Sequence, residues 1–253
     1  MIVLISNDDG IDAKGIRVLI DRMKSVAPDA EIYAVAPHGP QSGQSSAITV
    51  NHPLSVIEHP DYNGAKMFSV TGTPVDCVKL AMHAVVPRTP DLVLSGVNHG
   101  SNSGNSNIYS GTMGAAMEAC MIGIPAVGFS LLDYSRDADF SPAGPAMERI
   151  IRAVIENGLP AGVCLNVNMP AGCEPVGIKV TTCGEGRWTE EYADYVDPFG
   201  RKFYWMTGQY VDLAPDDPAG DNYWLRRNYV TVTPIRPDQT AHDAIGRLST
   251  IFD

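Results

Sequence analysis

Two hydrophobic patterns alternate along the first 170 positions. Residues 2–5 form a short continuous apolar run that ends in the polar stretch Ser6-Asn7-Asp8-Asp9-Gly10. Such a run suits a strand buried on both faces of a parallel sheet. Ile16, Leu19, Ile20 and Met23 then recur on one helical face, and Pro28 closes the unit. Residues 31–36 read as a second strand, followed by a Gly/Ser/Gln-rich loop over 37–47. Strand signals over 48–50, 54–57 and 66–70 come next and include a hairpin. From Pro74 the pattern Val75, Val78, Leu80, Met82, Val85 predicts a helix, with Thr73 as N-cap and Asp76 in the first turn. A strand over 92–94 precedes seventeen residues, 95–111, that carry almost no core material and read as one structureless connection. A small-residue helix over 112–119, a strand over 126–130, a helix over 142–156 and a strand over 163–167 complete the series. This alternation predicts an α/β fold, a mostly parallel sheet with right-handed crossovers and helices on both faces.

The texture changes after residue 171. Eleven of the 19 aromatic residues, including all three Trp, lie between Trp188 and Tyr229. Segments 202–207 and 229–235 read as strands, 212–221 as a Pro/Asp-rich loop and 241–251 as a terminal helix. We read 1–253 as a single domain: a core over 1–170, then a β-rich extension over 171–253 that is either an embellishment packed on the core or a C-terminal oligomerisation arm. The aromatic enrichment fits either an interface core or ordinary hairpin packing.

Composition narrows the function. Lys plus Arg number 18 against 29 Asp plus Glu, for a net charge of -11. Clustered basic residues are missing, so nucleic-acid polymers and anionic membrane surfaces are excluded as partners. No apolar run approaches the length of a membrane span, and the N-terminus has no signal-peptide pattern. Five cysteines (77, 120, 164, 173, 183) without a C-x-x-C pair predict reduced thiols in a cytoplasmic protein.

Ligands in an open parallel sheet bind beyond the carboxyl ends of the strands. Three polar loops begin there: Ser6 to Gly10, Pro40 to Ser46, and Ser95 to Asn102. Asp8 and Asp9 are adjacent carboxylates with no Lys or Arg in their motif, and a bound cation would offset their repulsion. The donors at hand are carboxylate, amide and hydroxyl oxygens, which favour magnesium or manganese. The plainer alternative is a helix cap beside a solvated carboxylate. The run Asn107 to Thr112, ahead of the small-residue helix, is a candidate anion site. No phosphate-binding P-loop, dinucleotide fingerprint or serine nucleophile elbow is present. His99 lies in a promising loop, where idle histidines are also common.

Longer stretches carry a resemblance: Ser6-Asn7-Asp8-Asp9-Gly10-Ile11, Gly72 to Val78, Pro90 to Asn98, Tyr109-Ser110-Gly111-Thr112, Leu165-Asn166-Val167-Asn168, Asp197 to Arg201, and Val232-Thr233-Pro234. In this order and over nearly the whole chain, they resemble the SurE family, the survival-protein nucleotidases. The resemblance implies a Rossmann-like core, a homodimer or homotetramer, and a metal-dependent hydrolase that converts nucleoside 5'-monophosphates, and in some members 3'-nucleotides, to nucleoside and phosphate. It implies one divalent metal ion per subunit, magnesium or manganese, held by Asp8, Asp9, Ser42 and Asn98. The loop pattern alone leaves Ser42, Ser45 and Ser46 equivalent. Asp8, Asp9 and Asn98 become the candidate catalytic residues, and Asn102, Ser110, Gly111 and Thr112 the phosphate-binding ones. Asn7, Gly43 and His99 are candidate substrate contacts. The alternatives are a broad-specificity phosphatase or exopolyphosphatase, and a non-catalytic nucleotide-binding protein. The chain departs from the family pattern at Gly104-Asn105-Ser106-Asn107, where two carboxylates are usual. It departs again at Lys14 in place of Pro and at Asn228 in place of Gly.

Overall fold

The predicted alternation resolves into β1 (Ile2–Ser6), α1 (Lys14–Val26), β2 (Glu31–Pro37), β3 (Val56–Tyr62), β4 (Ala65–Val70), α2 (Pro74–Leu80), β5 (Leu92–His99), α3 (Gly111–Met121), β6 (Ala126–Leu131), α4 (Gly144–Asn157) and β7 (Cys164–Met169). The second part of the chain adds β8 (Ile178–Val180), β9 (Gly186–Thr189), β10 (Tyr192–Val196), β11 (Lys202–Met206), β12 (Gln209–Asp212), α5 (Asp221–Leu225), β13 (Val230–Ile235) and α6 (His242–Phe252). The structure is a computed structural model and describes residues 1–252.

Nine strands form one sheet in the order β3-β4-β2-β1-β5-β6-β7-β13-β8. From β4 to β7 every neighbouring pair is parallel. β3 runs antiparallel to β4, and β13 antiparallel to β7. This is the Rossmann-like α/β architecture. Two strands from beyond residue 171, β8 and β13, complete its far edge. β9 pairs with β12 and β10 with β11 in two small antiparallel ribbons outside the main sheet.

Burial on both faces explains the continuous apolar run of β1. Val3 and Ile5 pack with Ile16, Leu19 and Ile20 of α1 and Ile151 of α4. Ile2 and Leu4 point the other way, into a cluster with Val78 of α2 and Met113, Ala116 and Ala119 of α3. Helix starts follow the sequence signals where a side chain can reach back. The Thr73 hydroxyl accepts from the Asp76 N–H at 3.1 Å, and the Asp76 carboxylate accepts from the Thr73 N–H at 2.9 Å, a reciprocal capping box.

Two local expectations are corrected. Residues 48–50 form no strand, because the Thr49 N–H is spent on the Asp76 carboxylate at 3.0 Å instead of a ladder partner. The connection 95–111 is largely structured. After a bulge between Ser95 and Asn98, β5 resumes pairing, with Asn98 opposite Ser130 and His99 opposite Leu131, and a 3-10 turn spans Gly104–Tyr109. Asn228, where the family commonly has Gly, takes φ +60°, a left-handed conformation that Asn tolerates better than most residues. All five cysteines are free thiols. Among the described residues no helix is long and apolar enough to cross a membrane.

Candidate active site

β1 sits between β2 and β5, and the chain leaves its two sides through helices on opposite faces of the sheet. That reversal opens a crevice at the carboxyl ends of β1 and β5. The three polar loops meet there, and backbone bonds tie the second loop to the first and to the 3-10 turn ahead of α3. The Gln41 N–H donates to the Asp8 carbonyl at 2.7 Å, and the Ser45 N–H donates to the Tyr109 carbonyl at 3.1 Å. A cavity of about 470 Å³ opens between them, and Asp8, Ser42, Gly43, Asn98, His99, Asn102 and Ser110 are part of its lining.

Asp8 is 4% exposed. Burial, with a smaller contribution from neighbouring Asp9, pushes its carboxyl up to about 6, against the pull of a hydrogen bond donated by the Thr112 hydroxyl. Asp9 Oδ2 accepts from the His99 N–H at 3.2 Å and lies 3.0 Å from His99 Nδ1. Neither carboxylate meets a Lys or Arg among the described residues. The Asn98 amide donates to the Gly100 carbonyl at 2.8 Å, which holds its Oδ1 free as an acceptor. Among the described residues no three His, Cys, Asp or Glu side chains gather as a metal site. A cation beside Asp8 and Asp9 would therefore need neutral oxygens, and Asn98 and Ser42 are among those that share the cavity with Asp8. A buried carboxylate lacking a positive partner, surrounded by hard oxygen donors, fits a divalent ion.

The structure separates the three serines of the second loop. Ser42 faces the cavity, whereas the Ser45 hydroxyl donates to the Ile108 carbonyl at 2.6 Å and Ser46 lies outside it. Asn102 is held from three sides. Its N–H donates to Asn168 Oδ1 at 2.8 Å, its carbonyl accepts from Asn166 Nδ2 at 2.8 Å, and its amide donates to the Ser130 hydroxyl at 2.8 Å. One amide proton remains for a ligand. Asn166 and Asn168 are fully buried polar residues in an otherwise apolar strand, a signal that residue-by-residue reading passed over. Ser110 caps α3, accepting from the Met113 N–H at 3.1 Å, and its hydroxyl faces the cavity.

Other expected contacts fall elsewhere. Thr112 is fully buried outside the cavity wall with its hydroxyl on Asp8, so it positions a carboxylate instead of offering that hydroxyl to phosphate. Gly111 permits that approach, since a Cβ there would stand 2.8 Å from the Asp8 Cβ. Asn7 does not reach the cavity. Its amide donates to the Gly10 carbonyl at 2.9 Å and its Oδ1 accepts from the Gly10 N–H at 3.1 Å, so it shapes the loop. The reading also missed the opposite wall. Ser106 and Tyr109 come from the 3-10 turn, and Trp188, Glu191, Met206 and Thr207 from the extension. Their spacing in sequence gives no hint of this convergence.

The profile of the family described as survival protein SurE matches residues 3–190, about three quarters of the chain. The chain belongs to the SurE family. It is 42% identical over 247 residues to a 5'-nucleotidase SurE of Phocaeicola vulgatus, covering 98% of this chain and 95% of that one. It is 46% identical over 254 residues to a 5'-nucleotidase SurE of Christiangramia forsetii, covering 98% and 96%. The crystal structure of the SurE protein from Aquifex aeolicus superposes with a TM-score of 0.83 at 32% identity and covers both chains completely.

Within this SurE fold Asn105, at one of the two positions where the family pattern has a carboxylate, has a use that a carboxylate would not serve. Asn105 Nδ2 donates to the Gly186 carbonyl at 2.6 Å. Amides can donate where carboxylates only accept. The 3-10 turn is thereby lashed to the extension that forms the far wall.

Proposed function

We propose that this chain is a 5'-nucleotidase, a hydrolase that splits nucleoside monophosphates into nucleoside and phosphate with the help of one divalent ion. The observation that carries the reading is the buried carboxylate of Asp8 beside Asp9, neither paired with a Lys or Arg, in one cavity with Asn102 and the capped start of α3. The names of the relatives agree with it. Asp8, Asp9, Asn98 Oδ1 and the Ser42 hydroxyl would hold magnesium or manganese. The ion would supply charge compensation for the phosphoryl group and acidify an attacking water. Asn102 and Ser110 donate to the remaining phosphate oxygens, which accumulate charge as the ester bond breaks. His99, bonded to Asp9, orients that carboxylate.

The uncovered apolar residues Ile245, Leu248 and Ile251 on α6 and Tyr195, Phe203 and Trp205 on β10 and β11 support a homodimer or homotetramer. The free thiols support a reducing, cytoplasmic setting.

The test is phosphate release by metal-stripped protein with magnesium, manganese or zinc restored in turn. Substrates are adenosine 5'-monophosphate, the 3'-monophosphate, a sugar phosphate and polyphosphate. Release from the nucleotides that depends on restored metal and falls at least ~100-fold in Asp8→Asn supports the reading. Equal rates on polyphosphate and sugar phosphate favour a broad phosphatase. Tight nucleotide binding without release favours a binding protein.

A further inference from the structure

The cavity is chemically divided. Asp8 and the phosphate donors line one part of it, and the extension contributes Trp188, Glu191, Met206 and Thr207. Trp188 is fixed on two sides. The Tyr210 ring meets it at 5.8 Å between centroids and 71° between planes, and a Cβ on Gly208 would stand 3.2 Å from its Cε3. The indole nonetheless stays 36% exposed. An aromatic plane that is braced yet left open in a cavity is suited to receive another flat ring.

Charge sets which end of a nucleotide can meet it. Glu191 has no ion-pair partner among the described residues, so the extension wall repels phosphate and accepts a neutral group. The two ends of the cavity thus match the two ends of a nucleoside monophosphate.

We propose that Trp188 is the specificity-determining residue of this site, stacking the base of a bound nucleoside monophosphate while its phosphate lies toward Asp8 and Asp9. The placing of the phosphate and the kinetic test rest on the phosphomonoesterase reading above; the stacking of the base on Trp188 does not. The stack adds binding to substrate and transition state alike, so it governs KM and leaves kcat nearly unchanged.

The kinetic experiment compares adenosine 5'-monophosphate with ribose 5-phosphate, which lacks the base, for the wild type, Trp188→Ala and Trp188→Phe. Trp188→Ala is expected to raise KM for the nucleotide about tenfold, as befits one lost base stack, with kcat within about twofold. Ribose 5-phosphate kinetics stay as in the wild type, and Trp188→Phe recovers most of the nucleotide affinity. Equal losses on both substrates, or no loss on either, overturn the proposal. A binding experiment decides the matter even if no phosphate is released at all. In a Trp205→Phe, Trp224→Phe background Trp188 is the one remaining indole. Titrated adenosine quenches its emission if the base stacks there, and unchanged emission at saturating adenosine overturns the proposal independently of the hydrolysis.

Discussion

The Thr112 hydroxyl, at the start of α3, donates to Oδ1 of Asp8, at the end of β1. One bond thus ties the N-terminus of a helix on one face of the sheet to the buried carboxylate at its topological switch point. It is also the largest influence holding that carboxyl down against the effect of burial. Thr112→Val keeps the shape and removes the donor. Metal-dependent phosphate release should fall ~10–100-fold, with Thr112→Ser restoring most of it. A Val variant with wild-type rates at limiting metal would show that Asp8 needs no such support.

Close packing of α3 controls the second loop as well. A Cβ on Gly114 would lie 2.1 Å from the Ser45 carbonyl oxygen, so a larger residue must displace the loop that carries Ser42. Gly114→Val should cost about 1–3 kcal/mol of stability and weaken cation binding. Urea unfolding and calorimetric titration with manganese measure the two effects separately.

Asp221 clamps the 3-10 turn to the extension. Its Oδ2 accepts from the Gly104 N–H at 2.7 Å, and its Oδ1 from the Gly184 N–H at 3.0 Å and the Asn222 N–H at 2.8 Å. Burial raises its pKa, yet three donors surround it. Asp221→Ala should destabilise the protein by roughly 3 kcal/mol, because buried N–H groups lose their acceptor. Hydrogen exchange at Gly104 and Gly184 should speed up more than exchange in β1, and equal protection in variant and wild type would refute the clamp.

Acid sensitivity follows from Asp91. The Arg88 guanidinium, and then the Ile2 N–H at 2.7 Å, pull its carboxyl from 3.8 down to about 2. A depressed carboxyl stabilises the fold above its unfolded value, and the benefit disappears as pH falls from about 4 to about 2. The melting temperature of the wild type should drop across that window, and the drop should be shallower in Asp91→Asn. Parallel curves for the two proteins would show that the clamp between β1 and β5 carries no linked stability.

Much of the site could be read from local pattern. The run ending at Ser6, the adjacent carboxylates of Asp8 and Asp9 and the Thr73-Pro74-Asp76 helix start are all signals within a few residues, and the structure keeps each of them. The periodicity of α1 likewise predicts which side chains enter the core, Ile16, Leu19, Ile20 and Met23, since a helix repeats every 3.6 residues whatever surrounds it.

Other features depend on contacts between residues far apart in sequence. Nothing near Ser42 distinguishes it from Ser45 until Ile108 claims the Ser45 hydroxyl. Thr112 looks like a phosphate donor until Asp8, 104 positions away, accepts its hydrogen bond. β13 completes the sheet only because β7 offers an open edge to pair with. Trp188 faces the cavity only because Tyr210 and the turn at Gly208 hold it there. Short-range periodicity and turn chemistry were enough for most strands and helices of the first 170 residues, but not for residues 48–50, the connection 95–111 or the ribbons of the extension. The partner of each hydroxyl and the surface that each aromatic ring meets were set by the folding of the chain back on itself.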